Sequence, residues 1–191
     1  MTYVGSKRRP GRVTVGLWNG YDKHVMREPH RRAISRAGAV AAAFECNLAL
    51  LGFPLPEDVK TPEALARWAG ERTSIGQGAA YFVEIARGGR VALFGYPHGG
   101  FPPQLGAPVA TTSKPRPGRA AALADLGARV RGGESLLLVF GVGPHGLPEA
   151  ARGACEVDFD VSGRGYSLET ATALGAVTAA IWYATRTASP G

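Results

Sequence analysis

Two hydrophobic periods take turns along this chain. Val13, Val15 and Leu17 alternate with polar or small neighbours, which predicts a strand over Arg12–Trp18. From Pro29 to Glu45 the apolar positions Ile34, Ala37, Val40, Ala41 and Phe44 recur at three and four, as on one face of a helix, with Pro29 in its first turn. Leu48–Phe53 reads as a buried strand. Thr61–Arg72 reads as a helix with Thr61 as N-cap and Pro62 at its first position. Tyr81–Ala86 and Val91–Phe94 read as two strands joined by a hairpin over Arg87–Arg90, and Gly99–Pro108 as a proline-rich loop. Gly118–Arg131 carries Leu123, Leu126 and Val130 at helical spacing. The apolar run Leu136–Phe140 fits a central strand, and Cys155–Val161 alternates like a further one. The last helix is expected from Ser167 to about Thr185. Strands alternating with helices predict an α/β fold with a mostly parallel sheet and helices on both faces.

The candidate chemistry gathers late in the chain. The strand at Leu136 runs into Phe140-Gly141-Val142-Gly143-Pro144-His145-Gly146-Leu147-Pro148-Glu149, and Ser162-Gly163-Arg164-Gly165-Tyr166-Ser167-Leu168-Glu169 opens the last helix. Two glycine-rich loops so placed offer free backbone N–H and C=O groups to a small polar ligand. Gly141, Gly143 and Gly146 match the G-x-G-x-x-G dinucleotide fingerprint. Only Leu147–Ala154 then precedes the next strand, and Pro148 interrupts it, so the crossover is too short for that fold and a nicotinamide-dependent oxidoreductase ranks low. Three strand ends, at Gly52-Phe53-Pro54, Gly95-Tyr96-Pro97 and Gly141-Val142-Gly143-Pro144, share a glycine and proline turn. Turn-making alone accounts for the first two.

In their order, these loops resemble the C-terminal half of the SPOUT superfamily of RNA methyltransferases, including its archaeal members. Phe140–Leu147 is similar to that family's second motif, F-G-x-E-x-x-G-L, and Ser167-Leu168-Glu169 to its third, S-L-N. Pro108–Lys114 is in the right order for the third cofactor loop, and Ala33-Ile34-Ser35-Arg36 matches the A-I-x-R end of the first motif. The resemblance covers the chain from about Arg12. It implies a deep C-terminal trefoil knot and S-adenosylmethionine held by Thr111, Thr112, Ser113, Phe140, Gly141, Val142, Gly143, Gly146, Leu147, Val161, Gly163, Gly165, Tyr166, Ser167 and Leu168. It further implies chemistry at Arg36, Glu169 and Ser167, and a homodimer in which Arg36 acts across the interface. His30 stands for the family's asparagine, Gly143 for its glutamate and Glu169 for its second asparagine. These departures leave ribose 2′-O and base nitrogen both open as acceptors, with a noncatalytic knotted RNA-binding protein as the alternative.

Charge sharpens the RNA reading. The formal net charge is +7, and residues 1–36 carry Lys7, Arg8, Arg9, Arg12, Lys23, Arg27, Arg31, Arg32 and Arg36 against Asp22 and Glu28 alone. The rest of the chain is balanced, so the excess lies on a tail over residues 1–11 and on the first helix of a single domain over residues 12–191. Arg27, His30, Arg31, Arg32 and Arg36, with Arg164 on its flexible loop, are the candidate RNA contacts. Lys114 and Arg116 read as surface charge. Two cysteines, Cys46 and Cys155, make neither a disulfide framework nor a zinc site, and His145 has no spaced partner ligands. No apolar run nears the roughly 20 residues of a membrane span, and Met1–Arg12 has no signal-peptide core. A cytoplasmic protein is expected, with no metal.

Overall fold

The computed structural model describes residues 9–72 and 76–187. In chain order they form β1 (Val13–Asn19), α1 (Glu28–Ala43), β2 (Asn47–Leu51), α2 (Pro62–Arg72), α3 (Gly76–Arg87), β3 (Val91–Phe94) and β4 (Ala107–Thr111). These are followed by α4 (Leu123–Arg131), β5 (Leu136–Val142), α5 (Glu149–Gly153), β6 (Val157–Phe159) and α6 (Thr170–Arg186). The strands make one sheet in the order β3-β2-β1-β5-β4-β6, and every neighbouring pair is parallel. β1 and β5 lie at its centre with Val13 opposite Leu136 and Asn19 opposite Val142, and both read as apolar runs because both faces are covered. Most of the basic tail, residues 1–8, lies outside the described residues.

The pleat divides the core in two. Val15, Leu17, Leu48, Leu50, Leu136, Leu138 and Phe140 point to one face, where α1, α2, α3, α4 and α6 cover them with Ile34, Leu65, Phe82, Leu126, Val177 and Ile181. Trp18, Ala49, Leu51, Leu137 and Val139 point to the other, under Ala151 of α5, Leu105, and the Phe94–Phe101 stretch that carries the chain from β3 across to β4. Helices therefore stand on both faces, but very unequally. Burial pushes the thiols of Cys46 and Cys155 up to about 12, so both are inert core residues.

Three local expectations are corrected. Tyr81–Ala86 is the second half of α3, not a strand, and Arg87–Arg90 closes no hairpin. Phe82, Ile85 and Ala86 are buried while Tyr81 is exposed, a spacing of three and four that packs against α1. Gly118–Ala122 is a turn and an isolated bridge from Ala120 to Asp158, so α4 starts only at Leu123. The last helix begins at Thr170, three residues later than expected, with Glu169 as its N-cap.

Candidate active site

β4, β5 and β6 end side by side, and beyond their carboxyl ends lies a cavity of about 590 Å³. In an open parallel sheet this is where ligands bind, at the point where the strand order reverses. The chain comes to β4 from the far edge of the sheet, runs back inward to β5 and then outward past β4 to β6. Three loops are thereby brought round one space. At the end of β4, Thr111 Oγ1 donates to the Val139 carbonyl at 2.8 Å, and Thr112 N–H donates to the Phe159 carbonyl at 3.0 Å. After β5 the chain turns back sharply, so that a Cβ on Gly141 would stand 2.1 Å from both Gly146 C and Leu147 N. Only glycine permits that approach.

The third loop is held by a single carboxylate. Asp160, at the end of β6, accepts from Ser162 N–H at 2.9 Å and Ser162 Oγ–H at 2.7 Å through Oδ1, and from Gly165 N–H at 2.8 Å through Oδ2. Burial opposes ionisation there, but these bonds hold the carboxyl below its ordinary value. The loop leads to Glu169, whose Oε2 accepts from Ala171 N–H at 2.9 Å and Thr172 N–H at 3.4 Å. Its other oxygen, Oε1, faces Arg36 Nη1 of the same chain at 3.6 Å. Both side chains are exposed, so this pair contributes less than about 1 kcal/mol. Its importance is where it sits, since Glu169 also lines the cavity.

Beneath the site is a buried ion cluster. Asp158 is fully buried, and Arg116 grips it with Nη2 to Oδ1 at 2.7 Å and Nε to Oδ2 at 3.0 Å, while Arg152 Nη2 adds a contact to Oδ2 at 3.0 Å. Desolvation alone would raise this carboxyl, yet the two guanidinium groups and the Arg116 N–H hold it below its usual range. Arg152 also donates to the Lys114 carbonyl, tying the loop after β4 to α5, and both residues reach the cavity wall.

A family model described as a protein of unknown function (DUF531) matches residues 13–182. The chain belongs to this family. An uncharacterised protein of Methanocaldococcus jannaschii is 34% identical over 176 residues, which is 92% of this chain and 96% of that protein. Among solved structures, a probable methyltransferase from Bordetella pertussis aligns with a TM-score of 0.57 at 18% identity, covering 92% of this chain and 96% of its own. An AdoMet-bound rRNA methyltransferase from Sinorhizobium meliloti aligns at 0.51 and 17% identity, covering 95% and 58%. The AdoMet complex of the SpoU methyltransferase AviRb from Streptomyces viridochromogenes aligns at 0.50 and 14%, covering 94% and 58%. At these identities the likeness is one of fold: a mostly parallel six-stranded α/β sheet like that of SpoU-type methyltransferases.

In this DUF531 chain, Thr111, Thr112, Ser113, Phe140, Gly141, Gly143, Gly146, Leu147, Val161, Tyr166, Ser167, Leu168 and Glu169 all line the cavity. Four of the residues singled out from sequence do something else. Val142 is fully buried in the core on the helix-covered face, one residue pair beyond Phe140, and does not reach the cavity. Gly163 and Gly165 are exposed and do not line the cavity; their φ angles of 61° and 76° shape the Asp160 loop. His30 is fully buried between Tyr21 and Phe53, with Nδ1 accepting from Arg27 N–H and Nε2 donating to the Asp22 carbonyl, so it cannot face RNA. Arg116 is likewise no free surface charge but the half-buried partner of the fully buried Asp158.

The first-helix arginines are not a bare patch. Arg27 pairs with Asp22, and Arg31 and Arg32 share Glu28, with Arg31 also lying over Trp68 at 5.4 Å. Of the four, Arg36 pairs with Glu169 of the same chain at the cavity's lip. Lining residues not singled out include Asp160, Arg152, Phe159, Ala173 and Val177. Ala173 and Val177 were visible as an i, i+4 pair on the last helix. Nothing local marked Arg152, whose place depends on Asp158. Among the described residues no cluster of His, Cys, Asp or Glu could hold a metal, and no helix is long and apolar enough to cross a membrane.

Proposed function

We propose that this protein is an S-adenosylmethionine-dependent RNA methyltransferase of the SPOUT type, with a C-terminal trefoil knot, working as a cytoplasmic homodimer. One observation carries the reading: the three loops singled out in the sequence line one cavity, and Arg36 and Glu169, far apart in the chain, meet at its lip. The residues present fit the cofactor. The volume is within the range of small-molecule sites, and the wall combines apolar Phe140, Phe159, Leu147 and Val177 with the backbone and hydroxyl groups of Thr111–Ser113.

Bound there, S-adenosylmethionine would supply an electrophilic methyl group on its sulfonium. The chain's own task is alignment and proton handling. The Gly141–Leu147 and Thr111–Ser113 loops would hold the cofactor by main-chain contacts, while the apolar wall excludes water. Glu169 Oε1, which makes no bond to its helix, is the atom that would take a proton from an acceptor hydroxyl or ring nitrogen. Arg36 would position an RNA phosphate or the acceptor beside it, supported by the basic N-terminal fifth of the sequence.

Titration calorimetry with S-adenosylmethionine, S-adenosylhomocysteine and NAD is the first test. The two adenosyl ligands are expected to bind and NAD not. Transfer of a tritiated methyl group to RNA should then fall about 100-fold or more in Glu169→Gln and in Arg36→Ala, with cofactor affinity unchanged. Absence of adenosyl binding would sink the proposal in favour of a noncatalytic RNA-binding protein.

A further inference from the structure

The loop between β6 and α6 presents an aromatic ring to solvent at the edge of the candidate site. Tyr166 lies at the cavity wall and is 61% exposed. The Arg164 guanidinium lies over the same ring, 5.3 Å from its centroid. This exposed pair is not on a slack segment. Ser162 N–H and Oγ–H and Gly165 N–H all donate to Asp160, and Arg164 N–H and Tyr166 N–H donate to Ser162 Oγ at 3.1 and 3.2 Å. Five hydrogen bonds thus hold a tight turn, reversed at Gly163 and Gly165, whose product is an aromatic face and a cation presented to water.

We propose that Tyr166 and Arg164 form a stacking platform for an unpaired nucleotide of single-stranded RNA at the mouth of the cavity, Tyr166 taking the base and Arg164 the adjoining phosphate. The inference rests on the RNA reading above and gives that acceptor a seat. An aromatic ring beside a guanidinium matches the two halves of a nucleotide, a π-face and an anion. Preorganisation by Asp160 means that little ordering of the loop remains for binding. The position also suits the chemistry, because the same loop leads within three residues to Glu169 and hence to Arg36. A base seated on Tyr166 would share the cavity wall with the carboxylate proposed to take its proton.

The test is fluorescence anisotropy with a labelled pool of randomised single-stranded RNA 20-mers, alongside calorimetry with S-adenosylmethionine and light-scattering mass measurement. Tyr166→Ala is expected to weaken RNA binding about tenfold or more, while Tyr166→Phe keeps it. Arg164→Ala should lower the slope of log affinity against log salt by about 0.7, the share of one phosphate on a single strand, whereas Tyr166→Ala leaves that slope alone. Melting midpoint should be unchanged in all three, and S-adenosylmethionine affinity unchanged in Arg164→Ala, whose side chain does not line the cavity. Equal RNA binding by wild type and Tyr166→Ala, or none by wild type, overturns the platform and leaves cofactor binding to judge the methyltransferase reading on its own. RNA binding that needs Tyr166 without any cofactor binding keeps the platform and removes the methyltransferase. If Tyr166→Ala instead halves the particle mass, the ring is a subunit contact and the platform is overturned.

Discussion

His30 fixes the first turn of α1 with both ring nitrogens, and this gives it a pH signature. Burial lowers its pKa below the ordinary 6.5 despite the bonds to Asp22 and Arg27. The unfolded chain therefore binds a proton near pH 6 that the folded one does not, and stability is full above about 6.5 and declines as pH falls toward the lowered value. Melting curves from pH 8 to 5 are expected to show that decline in the wild type and a flatter profile in His30→Asn; identical profiles would remove His30 as its source. Asp22 acts lower down. The His24 and Val25 N–H groups, then Arg27, hold its carboxyl at about 2, so its contribution is lost only as pH falls from about 4 toward 2. At Glu169 the two oxygens have separate duties. Glu169→Ala should cost about 1 kcal/mol through the lost cap, so activity must be compared at a temperature where both proteins are folded. The sequence showed His30 at a motif position without showing its burial, because Phe53, which covers it, is 23 residues away.

Among the elements, those whose pattern reports only on themselves were the most legible. β1, α1, β2, α2 and β5 lie within a residue or two of their expected ends, and Thr61 caps α2 as expected, accepting from Ala64 N–H at 3.2 Å. α3 was misread because Tyr81–Ala86 is short, apolar and rich in residues that suit either period; packing on α1 decides it. What β6 carries was hidden for a different reason. Its Asp158 has no meaning until Arg116 and Arg152, 42 and 6 residues away, close on it. Asp158→Asn should destabilise by about 3–5 kcal/mol, since it leaves two guanidinium groups facing a neutral amide. At about 2–4 °C per kcal/mol for a chain of this size, calorimetry should record a fall of roughly 6–20 °C, and a change under 2 °C would contradict the role given to this cluster. Gly141→Ala belongs to the same scale. The added methyl would collide with backbone rather than with a movable side chain, so the loop after β5 must open and S-adenosylmethionine binding in calorimetry should be lost.

For the whole molecule, the α/β class and the parallel sheet follow from the alternation of periods, but the strand order does not, because nothing local says that β5 inserts between β1 and β4. The same order explains why the candidate site could be named loop by loop yet not assembled. Sedimentation should find a particle of twice the 19.9 kDa chain if the proposed homodimer holds; a monomer that still transfers methyl groups would show that the pair within one chain suffices. The order of the sheet also sets an order in time. β1 leaves the ribosome first and can pair at once with β2, but its other edge waits for Leu136 and the residues after it. The cavity waits longer still, for Ala173 and Val177 of the last helix. A nascent chain therefore lacks the proposed cofactor site until α6 has emerged, and any shortened product ending before α6 would leave the ribosome with a sheet but no site.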